Sequence, residues 1–287
     1  MLVKSIDEIR TQIFEWKSQP SCKLKVGFVP TMGALHEGHL SLIKKSVESC
    51  DKTVVSIFVN PTQFGPSEDF SSYPRTLEDD LKLCQDAGAD VVFAPNATEM
   101  YGNENIFSND FLTYVVPPYF SVDKLCAKSR TGHFEGVCTV VTKLFNIINP
   151  DSAFFGQKDA QQLIIIKKMV KDLNIPIEIV SCPIVRDENG LALSSRNKRL
   201  SEEGKKEALA LSRILFNIKA CYNKGITEVK ALSETAIEIL GENHKLEYLE
   251  FVDKNSLESK TTADDDTLIL IAAKIEDVRL IDNCYTK

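Results

Sequence analysis

Long apolar runs are missing from this 287-residue chain, and so is an excess of basic residues. No apolar stretch approaches the 18 residues that a membrane-spanning helix needs, and residues 1–16 show a helical pattern of charged and apolar positions instead of a signal peptide. The net charge of -7 argues against broad binding of nucleic acid, which requires a basic surface. We therefore expect a cytoplasmic protein that binds neither membrane nor nucleic acid.

Cysteine pairs at metal-binding spacing are also missing. The chain has eight cysteines, but it has no C-x-x-C pair and no histidine near a cysteine at ligand spacing. Cys138 and Cys182 lie within apolar runs, where a reduced thiol behaves as a small hydrophobic group. We expect free, structural thiols, with no disulfide framework and no metal ion held by protein ligands alone.

The chain does have the length and the 43% hydrophobic content of an ordinary two-domain globular protein. Apolar runs predict strands at residues 24–29, 53–59, 91–94, 153–155 and 177–181. Helical patterns separate them at residues 40–50, 77–87, 136–148 and 161–173. Strands that alternate with helices predict an α/β fold, with a Rossmann-like, doubly wound parallel sheet over residues 1–182.

The pattern changes after Pro183. Two helices are predicted at residues 202–222 and 228–240, and three strands at residues 246–252, 267–273 and 278–281. The last two strands are close enough in sequence to pair antiparallel. We expect residues 183–287 to form a smaller C-terminal α+β domain.

Two of the four histidines lie three residues apart where the first predicted strand leads into a helix. His36 and His39 would lie on one face of the first helical turn, where unpaired amides and the helix dipole favour an anion. Gly33 and Gly38 have the spacing of a P-loop, but His39 and Leu40 replace its lysine and hydroxyl residue. The turn predicts a site for phosphate, and the alternative is one packed or capping histidine beside a solvated one.

Polar segments follow four of the predicted strands, at residues 31–39, 60–64, 156–159 and 185–197. Ligands of doubly wound sheets bind beyond the carboxyl ends of the strands, so these segments are expected to converge on one edge. Lys158 could reach a phosphate there, although a surface lysine paired with Asp159 is an alternative. Residues 193–197, with the hydroxyls of Ser194 and Ser195 and the guanidinium of Arg196, could clamp a polyphosphate, or they could form a serine-rich turn that caps a helix.

Two glutamines and one further histidine are candidates for binding a polar small molecule. Gln63 and Gln162 carry amides that suit hydroxyl and carboxylate groups, although Gln161 is available beside Gln162. Arg130 and His133 precede a predicted helix and could contact a substrate or a phosphate.

Together these segments resemble the pantothenate synthetase family over nearly the whole chain. The resemblance is carried by residues 30–39 (PTMGALHEGH), 58–64 (FVNPTQF), 73–76 (YPRT), 132–134 (GHF), 139–141 (TVV), 155–159 (FGQKD) and 194–197 (SSRN). The first segment also occurs in the wider group of nucleotidyltransferases and class I synthetases, but the whole set is specific.

The resemblance implies a ligase that condenses (R)-pantoate with β-alanine through a pantoyl adenylate and releases AMP and pyrophosphate. It implies ATP as a substrate, Mg²⁺ bound through the phosphates, and a homodimer. His39 would be the proton donor, with His36 beside it, and Lys158 and Arg196 would add charge at the phosphates. The C-terminal domain would act as a lid that keeps water from the adenylate.

The resemblance also implies two sets of binding residues. The ATP contacts are Met32, Gly33, Ala34, Leu35, His36, Glu37, Gly38, His39, Gly156, Gln157, Lys158, Asp159, Val185, Leu193, Ser194, Ser195 and Arg196. The contacts of the other substrates are Asn60, Gln63, Arg130, His133 and Gln162.

Three positions depart from the common pattern of the family. Leu193 stands where methionine is frequent, Thr131 replaces a usual proline, and Glu135 takes a position that is often basic. The last two bear on the geometry of residues 130–133. Two other functions are compatible with the residues themselves: another adenylating or nucleotidyl-transfer enzyme, and a noncatalytic nucleotide sensor.

Overall fold

The computed structural model describes residues 1–18, 23–65, 68–102, 112–118, 125–126, 130–240 and 245–287, with the backbone alone for residues 236–240. Among the predicted thiols, Cys22 lies outside these ranges. The chain divides into two compact units. Unit 1 comprises Met1–Gly156 and Ile165–Cys182, and unit 2 comprises Gln157–Ile164 and Pro183–Lys287.

Unit 1 is built on a parallel sheet, as the alternating pattern predicts. Its strands are β1 (Leu2–Val3), β2 (Val26–Thr31), β3 (Lys52–Ile57), β4 (Val91–Phe93), β5 (Ser152–Gly156) and β6 (Glu178–Cys182). They lie in the order β1-β4-β3-β2-β5-β6, and all pairs are parallel. The predicted α/β fold is confirmed.

The first strand was not among the predicted ones. β1 has only two residues, and it pairs with Val92 and Phe93 of β4. The helical pattern begins later, because Ser5 caps the first helix and Glu8 completes a capping box with it.

Helices cover the sheet, and most of their bounds lie within a few residues of the predicted ones. They are α1 (Ile6–Lys17), α2 (Glu37–Ser49), α3 (Leu77–Asp86), α4 (Ala97–Tyr101), α5 (His133–Ile148) and α6 (Ala160–Asp172). Ile43 and Phe154 are fully buried in the core between α2 and the sheet, and Phe28 of β2 is fully buried where its ring meets Phe145 of α5 edge to face. Each of these side chains contributes about 1.5–3 kcal/mol by leaving water.

Unit 2 has a small antiparallel sheet and two helices of its own. The helices are α7 (Glu202–Asn223) and α8 (Val229–Leu240), and the strands are β7 (Lys245–Asp253), β8 (Thr267–Ile275) and β9 (Val278–Tyr285), in the order β7-β8-β9. β8 and β9 pair antiparallel, as predicted. The side chain of Ser201 caps α7, and fully buried Ile214, Leu215 and Ile271 form part of the core. Within the part of the chain that the structure describes, no helix combines the length and apolarity needed to cross a bilayer.

The order of the strands places β2 at the switch point of the sheet. The chain goes from β2 to β3 and β4 on one side, and later to β5 and β6 on the other side. Because all these strands are parallel, the carboxyl ends of β2, β3, β5 and β6 lie on the same edge. Open α/β sheets bind ligands there, and residues 31–39 begin at this edge.

Candidate active site

The two histidines of the H-x-G-H turn lie side by side at the start of α2. His36 is the N-cap residue, and its backbone is extended, with φ -145° and ψ 173°. His39 lies on the first turn of the helix, and the two ring centroids are 4.1 Å apart. Both rings are half-buried. One ligand can therefore contact both imidazoles, as the spacing of three residues predicts.

The capping hydrogen bond sets the protonation of His36. Its Nδ1 accepts the backbone N–H of Gly38 at 3.1 Å. A ring nitrogen that accepts a hydrogen bond carries no proton, so the ring is neutral and has its N–H at Nε2. His36 in this geometry is thus a neutral hydrogen-bond donor to a ligand and not a cation.

The loop before His36 uses its amides within the protein. Ala34 and Leu35 donate their backbone N–H groups to the two carboxylate oxygens of Asp80, at 2.9 and 2.8 Å. Gly33 donates to the Thr31 hydroxyl at 3.2 Å. These three loop amides therefore already have partners. The sequence predicted unpaired amides in the first turn of α2, and there Gly38 donates its N–H to His36 Nδ1 and His39 donates to the carbonyl of His36, so side chains are the better candidates to hold phosphate.

A buried amide network lies beyond the end of β3. Asn60 donates its Nδ2–H to Gln63 Oε1 at 3.1 Å and to the carbonyl of Gly136 at 3.2 Å. The Tyr101 hydroxyl donates to Asn60 Oδ1 at 2.7 Å, and burial raises the pKa of Tyr101 to about 12. Gln63 in turn donates to the sulfur of Met32 at 3.0 Å. The network links Gln63 directly to the loop that carries the histidines.

Close packing of α5 holds this network in place. Gly136 lies so near the 3₁₀ turn Pro61–Gln63 that a Cβ atom there would be 2.2 Å from the carbonyl oxygen of Thr62. Only glycine allows this approach, because the atoms in the way are backbone atoms. The turn and the helix therefore fix each other, and with them the position of Gln63.

Arg130 and His133 contact protein groups rather than open space. Arg130 forms a bidentate ion pair with Glu68, at 2.8 and 2.5 Å, and its NH1 lies 2.9 Å from His133 Nε2. Because Arg130 can only donate, Nε2 accepts, and the proton of His133 lies on Nδ1, which donates to the carbonyl of Gln63 at 2.7 Å. Both residues thus support Gln63, while their contact with substrate stays a prediction.

Unit 2 carries the segment that follows β5. Residues Gln157–Asp159 form a 3₁₀ turn that leads into α6, and Lys158 is half-buried in it. The side chain of Asn283 in β9 donates to the carbonyls of Gln157 and Lys158, both at 2.9 Å. These two bonds attach the lysine turn to the sheet of unit 2.

The segment from Val185 to Leu193 is a second feature of unit 2. Leu193 donates its N–H to the carbonyl of Val185 at 3.0 Å, and a turn from Asp187 to Gly190 joins the two sides. Two predicted ATP contacts are therefore direct neighbours. Residues 194–196 follow at once, and the Ser194 side chain caps the 3₁₀ turn Ser195–Arg199 that includes Arg196.

β9 also anchors this hairpin. Arg186 forms a bidentate ion pair with Asp282, at 2.7 and 2.9 Å, and Asp282 is 4% exposed. Removing one partner would leave a buried charge and cost about 3–5 kcal/mol. Asp282 and Asn283 together hold both predicted ATP-binding segments of unit 2.

Gln161 and Gln162 differ in burial. Gln161 is 4% exposed, whereas Gln162 is half-buried. The contact of Gln162 with substrate stays a prediction.

The cysteines in the described ranges are free thiols. Burial raises the pKa of Cys84, Cys138 and Cys284 to about 12, and it also raises the pKa of Cys50 and Cys182. Thiols with raised pKa values stay protonated at neutral pH, so these five are poor nucleophiles.

The sequence did not point to several residues of these networks, among them Asp80, Tyr101, Asp282 and Asn283. Asp80 is one of three consecutive acidic residues, which is typical of the first turn of a helix, and Tyr101 lies in a short helix without a periodic signal. One available signal was the adjacent polar pair Asp282 and Asn283 in a strand whose other residues, apart from Arg279, are apolar or aromatic.

Comparison with known proteins shows which family the chain belongs to. The family model described as pantoate-beta-alanine ligase matches residues 1–285. The chain belongs to this family. It is therefore an enzyme, a ligase that joins pantoate to β-alanine.

Individual relatives agree with the family. The chain is 50% identical to a pantothenate synthetase of Clostridium novyi (strain NT), over 99% of this chain and 98% of that protein. It is 48% identical to the pantothenate synthetase of Acetivibrio thermocellus, over 98% of each chain.

Solved structures extend the likeness to the fold. The crystal structure of pantothenate synthetase from Thermus thermophilus has a TM-score of 0.89 and 39% identity over 99% of each chain. The ligase from Francisella tularensis, solved in complex with β,γ-ATP and β-alanine, has a TM-score of 0.80 and 35% identity, over 100% of this chain and 97% of that one.

Proposed function

We propose that this ligase uses ATP to activate (R)-pantoate as pantoyl adenylate, and that β-alanine then displaces AMP. The observation that carries the proposal is the contact of Gln63 with Met32, because it joins an amide suited to an organic acid to the loop that presents His36 and His39. The Francisella tularensis relative, solved with β,γ-ATP and β-alanine, supports both substrates.

In the first step, the carboxylate of pantoate attacks the α-phosphorus of ATP, and pyrophosphate leaves. Negative charge grows on the phosphoryl oxygens, so donors that contact them in the transition state increase the rate. His36 offers its Nε2–H, and His39 is the proton donor to the leaving group. Lys158 and Arg196 add positive charge, and each such group is worth about 2–4 kcal/mol.

In the second step, the amine of β-alanine attacks the carbonyl carbon of the adenylate, the amide forms, and AMP leaves. We propose that Asn60, Gln63 and Gln162 bind pantoate, with β-alanine near Gln63. The buried network around Asn60 fixes the Gln63 amide before the substrate arrives, which lowers the entropic cost of binding. The ATP contacts are proposed at residues 32–39, 156–159, 185 and 193–196.

Mg²⁺ is proposed to bind through the phosphates of ATP. Within the described ranges, no three His, Cys, Asp or Glu side chains converge as a protein-held metal site requires. Mg²⁺ prefers the oxygens of phosphates and water to a cage of protein ligands, so it can bind through ATP without such a cluster. When bound there, Mg²⁺ would neutralise charge on the triphosphate.

A homodimer and a cytoplasmic location are further proposals. Sedimentation equilibrium tests the dimer, with an expected mass twice the 32.1 kDa of the chain. A cytoplasmic location agrees with the free thiols of the described residues and with the use of ATP. The role of residues 183–287 as a lid stays a prediction.

Pyrophosphate exchange tests the function. Labelled pyrophosphate should enter ATP only when pantoate is present, because the carboxylate is needed to release pyrophosphate reversibly. Exchange without pantoate would favour another adenylating enzyme, and no exchange at all would favour a nucleotide sensor. A second assay adds β-alanine to the reaction, and it should convert the adenylate to pantothenate with release of AMP.

A further inference from the structure

Asp80 is a buried carboxylate outside all the predicted binding residues. It lies in the first turn of α3 and is 1% exposed. Oδ2 accepts the N–H of Ala34 at 2.9 Å and the hydroxyl of Thr76 at 3.2 Å, and Oδ1 accepts the N–H of Leu35 at 2.8 Å. A carboxylate bound by three donors in a dry environment is strongly held, because leaving any of these polar groups unpaired there would be costly.

The loop that Asp80 binds has an unfavourable backbone conformation. Gly33 and Ala34 are consecutive residues with left-handed backbones, at φ +84° and φ +52°. Glycine adopts this conformation readily, but alanine does not. Such a conformation persists only when surrounding contacts hold it, and the two oxygens of Asp80 hold the amides on either side of the Ala34 α-carbon.

The loop leads directly to the catalytic histidines. Leu35 is the residue before His36, so the direction of the Leu35 peptide decides how His36 enters α2 as its N-cap. Consecutive amides that converge on one anion are a common way to bind phosphate. Here the protein's own carboxylate occupies them, which keeps these two amides from the triphosphate.

We propose that Asp80 is a positioning residue for adenylation, which acts by holding the loop from Gly33 to Leu35 so that His36 and His39 face the triphosphate. The inference rests on the function proposed above for these histidines. Asp80 does not touch the substrate. It acts on the rate of adenylation through the loop.

The test replaces Asp80 with asparagine and compares the variant with Asp86→Asn. Asparagine has the same size but a single acceptor oxygen, so at least one loop amide loses its partner. Asp86 is the exposed last residue of the same helix, and its variant removes the same charge without touching the loop. We expect Asp80→Asn to lower kcat of pantoate-dependent exchange about 100-fold, and Asp86→Asn to leave it unchanged.

Separate measurements of kcat and of the dissociation constant of ATP distinguish a positioning role of Asp80 from a general loss of stability. The dissociation constant of ATP, measured by equilibrium dialysis, should change less than about threefold, because the loop contacts matter in the transition state. A variant that is only less stable would show normal kcat per folded molecule. Normal kcat in a folded Asp80→Asn protein would overturn the proposal.

Chemical rescue provides a second variant. Asp80→Gly removes the carboxylate and leaves room for a small anion. Formate should restore part of the exchange rate, and chloride at the same ionic strength should not. Equal effects of both salts would contradict the proposal. If neither variant folds, Thr76→Val removes one donor to Asp80, and it should lower kcat in the same direction but less.

An NMR measurement distinguishes failure of this proposal from failure of the proposed function. The amide resonances of Ala34 and Leu35 should move upfield in Asp80→Asn, and the His36 ring should lose its fixed tautomer. If wild-type protein shows no pantoate-dependent exchange, the function is wrong whatever the variant does. If exchange is present and these resonances stay in place, the role of Asp80 is wrong.

Discussion

Hydrogen-bond partners make His36 and His133 neutral imidazoles with opposite tautomers. His36 accepts at Nδ1 from the first turn of its own helix, which leaves Nε2–H for a ligand. His133 donates from Nδ1 to the carbonyl of Gln63 and accepts at Nε2 beside Arg130. His36 can therefore donate a hydrogen bond to a phosphate, whereas His133 supports Gln63, the residue proposed to bind pantoate.

The variant His39→Ala tests the proposed proton donor. We expect pantoate-dependent exchange to fall about 100- to 1,000-fold, because the leaving pyrophosphate loses its donor in the transition state. ATP should still bind, as measured by equilibrium dialysis. Lys45→Ala on the exposed face of α2 is the control, and it should leave exchange unchanged, because Lys45 pairs with Glu48 outside the proposed site. Loss of the circular dichroism spectrum in His39→Ala would instead indicate a packing role for this histidine.

At the scale of elements, the site depends on contacts that join segments far apart in sequence. The 3₁₀ turn Pro61–Gln63 packs against α5, and Asn60 binds the backbone of that helix. In unit 2, β9 holds both the lysine turn and the hairpin that follows β6. These contacts position groups whose residue types are visible in the sequence but whose mutual positions depend on the fold.

Gly136→Ala tests the contact between the turn and α5. The added methyl group would be 2.2 Å from the Thr62 carbonyl oxygen, so the turn must move and carry Gln63 with it. We expect KM for pantoate to rise about 10-fold or more, with a loss of stability on thermal unfolding.

The control for this substitution is Gly65→Ala. Its methyl group would meet only ordinary contacts, with the nearest atom 3.7 Å away in the Glu68 side chain. An unchanged KM for pantoate in Gly136→Ala would show that the turn does not position the pantoate amide.

Asn283→Leu tests the attachment of the lysine turn within unit 2. The carbonyls of Gln157 and Lys158 lose their donors, and each unpaired buried group costs about 1–3 kcal/mol. We expect kcat of exchange to fall about 10-fold through displacement of Lys158. Asn255→Ala, at an exposed position of the same unit, is the control. A lower melting temperature with normal kcat would limit Asn283 to stability.

At the scale of the whole molecule, buried thiols couple stability to alkaline pH. Cys84 and Cys138 are both 0% exposed, and burial raises their pKa from 9.0 to about 12. Between pH 9 and 12 the unfolded chain releases thiol protons that the folded protein keeps. Stability therefore falls as pH rises through this window, and these thiols do not alter it below pH 9.

Urea unfolding at pH 8, 9.5 and 10.5 measures this dependence. Each thiol should lower the free energy of unfolding by up to about 1.4 kcal/mol per pH unit above pH 9. Cys138→Ala should give a shallower slope than the parent, although its stability at pH 8 will also fall because a buried side chain is smaller. Equal slopes in the two proteins would contradict the effect of Cys138.

Features that depend on neighbouring residues in the sequence were predictable, whereas features that depend on distant partners were not. Most elements of both units and the pairing of β8 with β9 were predictable, because apolar periodicity and caps are local signals. β1 was not, since two residues carry no period and form a strand only when β4 lies beside them. The closeness of His36 and His39 was predictable from helix geometry, but the roles of Asp80 and Asn283 depend on partners 45 and 125 residues away.

The sequence by itself determined the α/β class, the edge of the sheet at which the H-x-G-H loop begins and, through its motifs, the resemblance to pantothenate synthetases. These features follow from periodicity along the chain and from residue types in short segments. Only the tertiary structure decided which hydrogen-bonding groups of those segments are already used. Ala34 and Leu35 give their amides to Asp80, and Arg130 gives its guanidinium to Glu68, because folding brings buried donors to distant acceptors that no local pattern reveals.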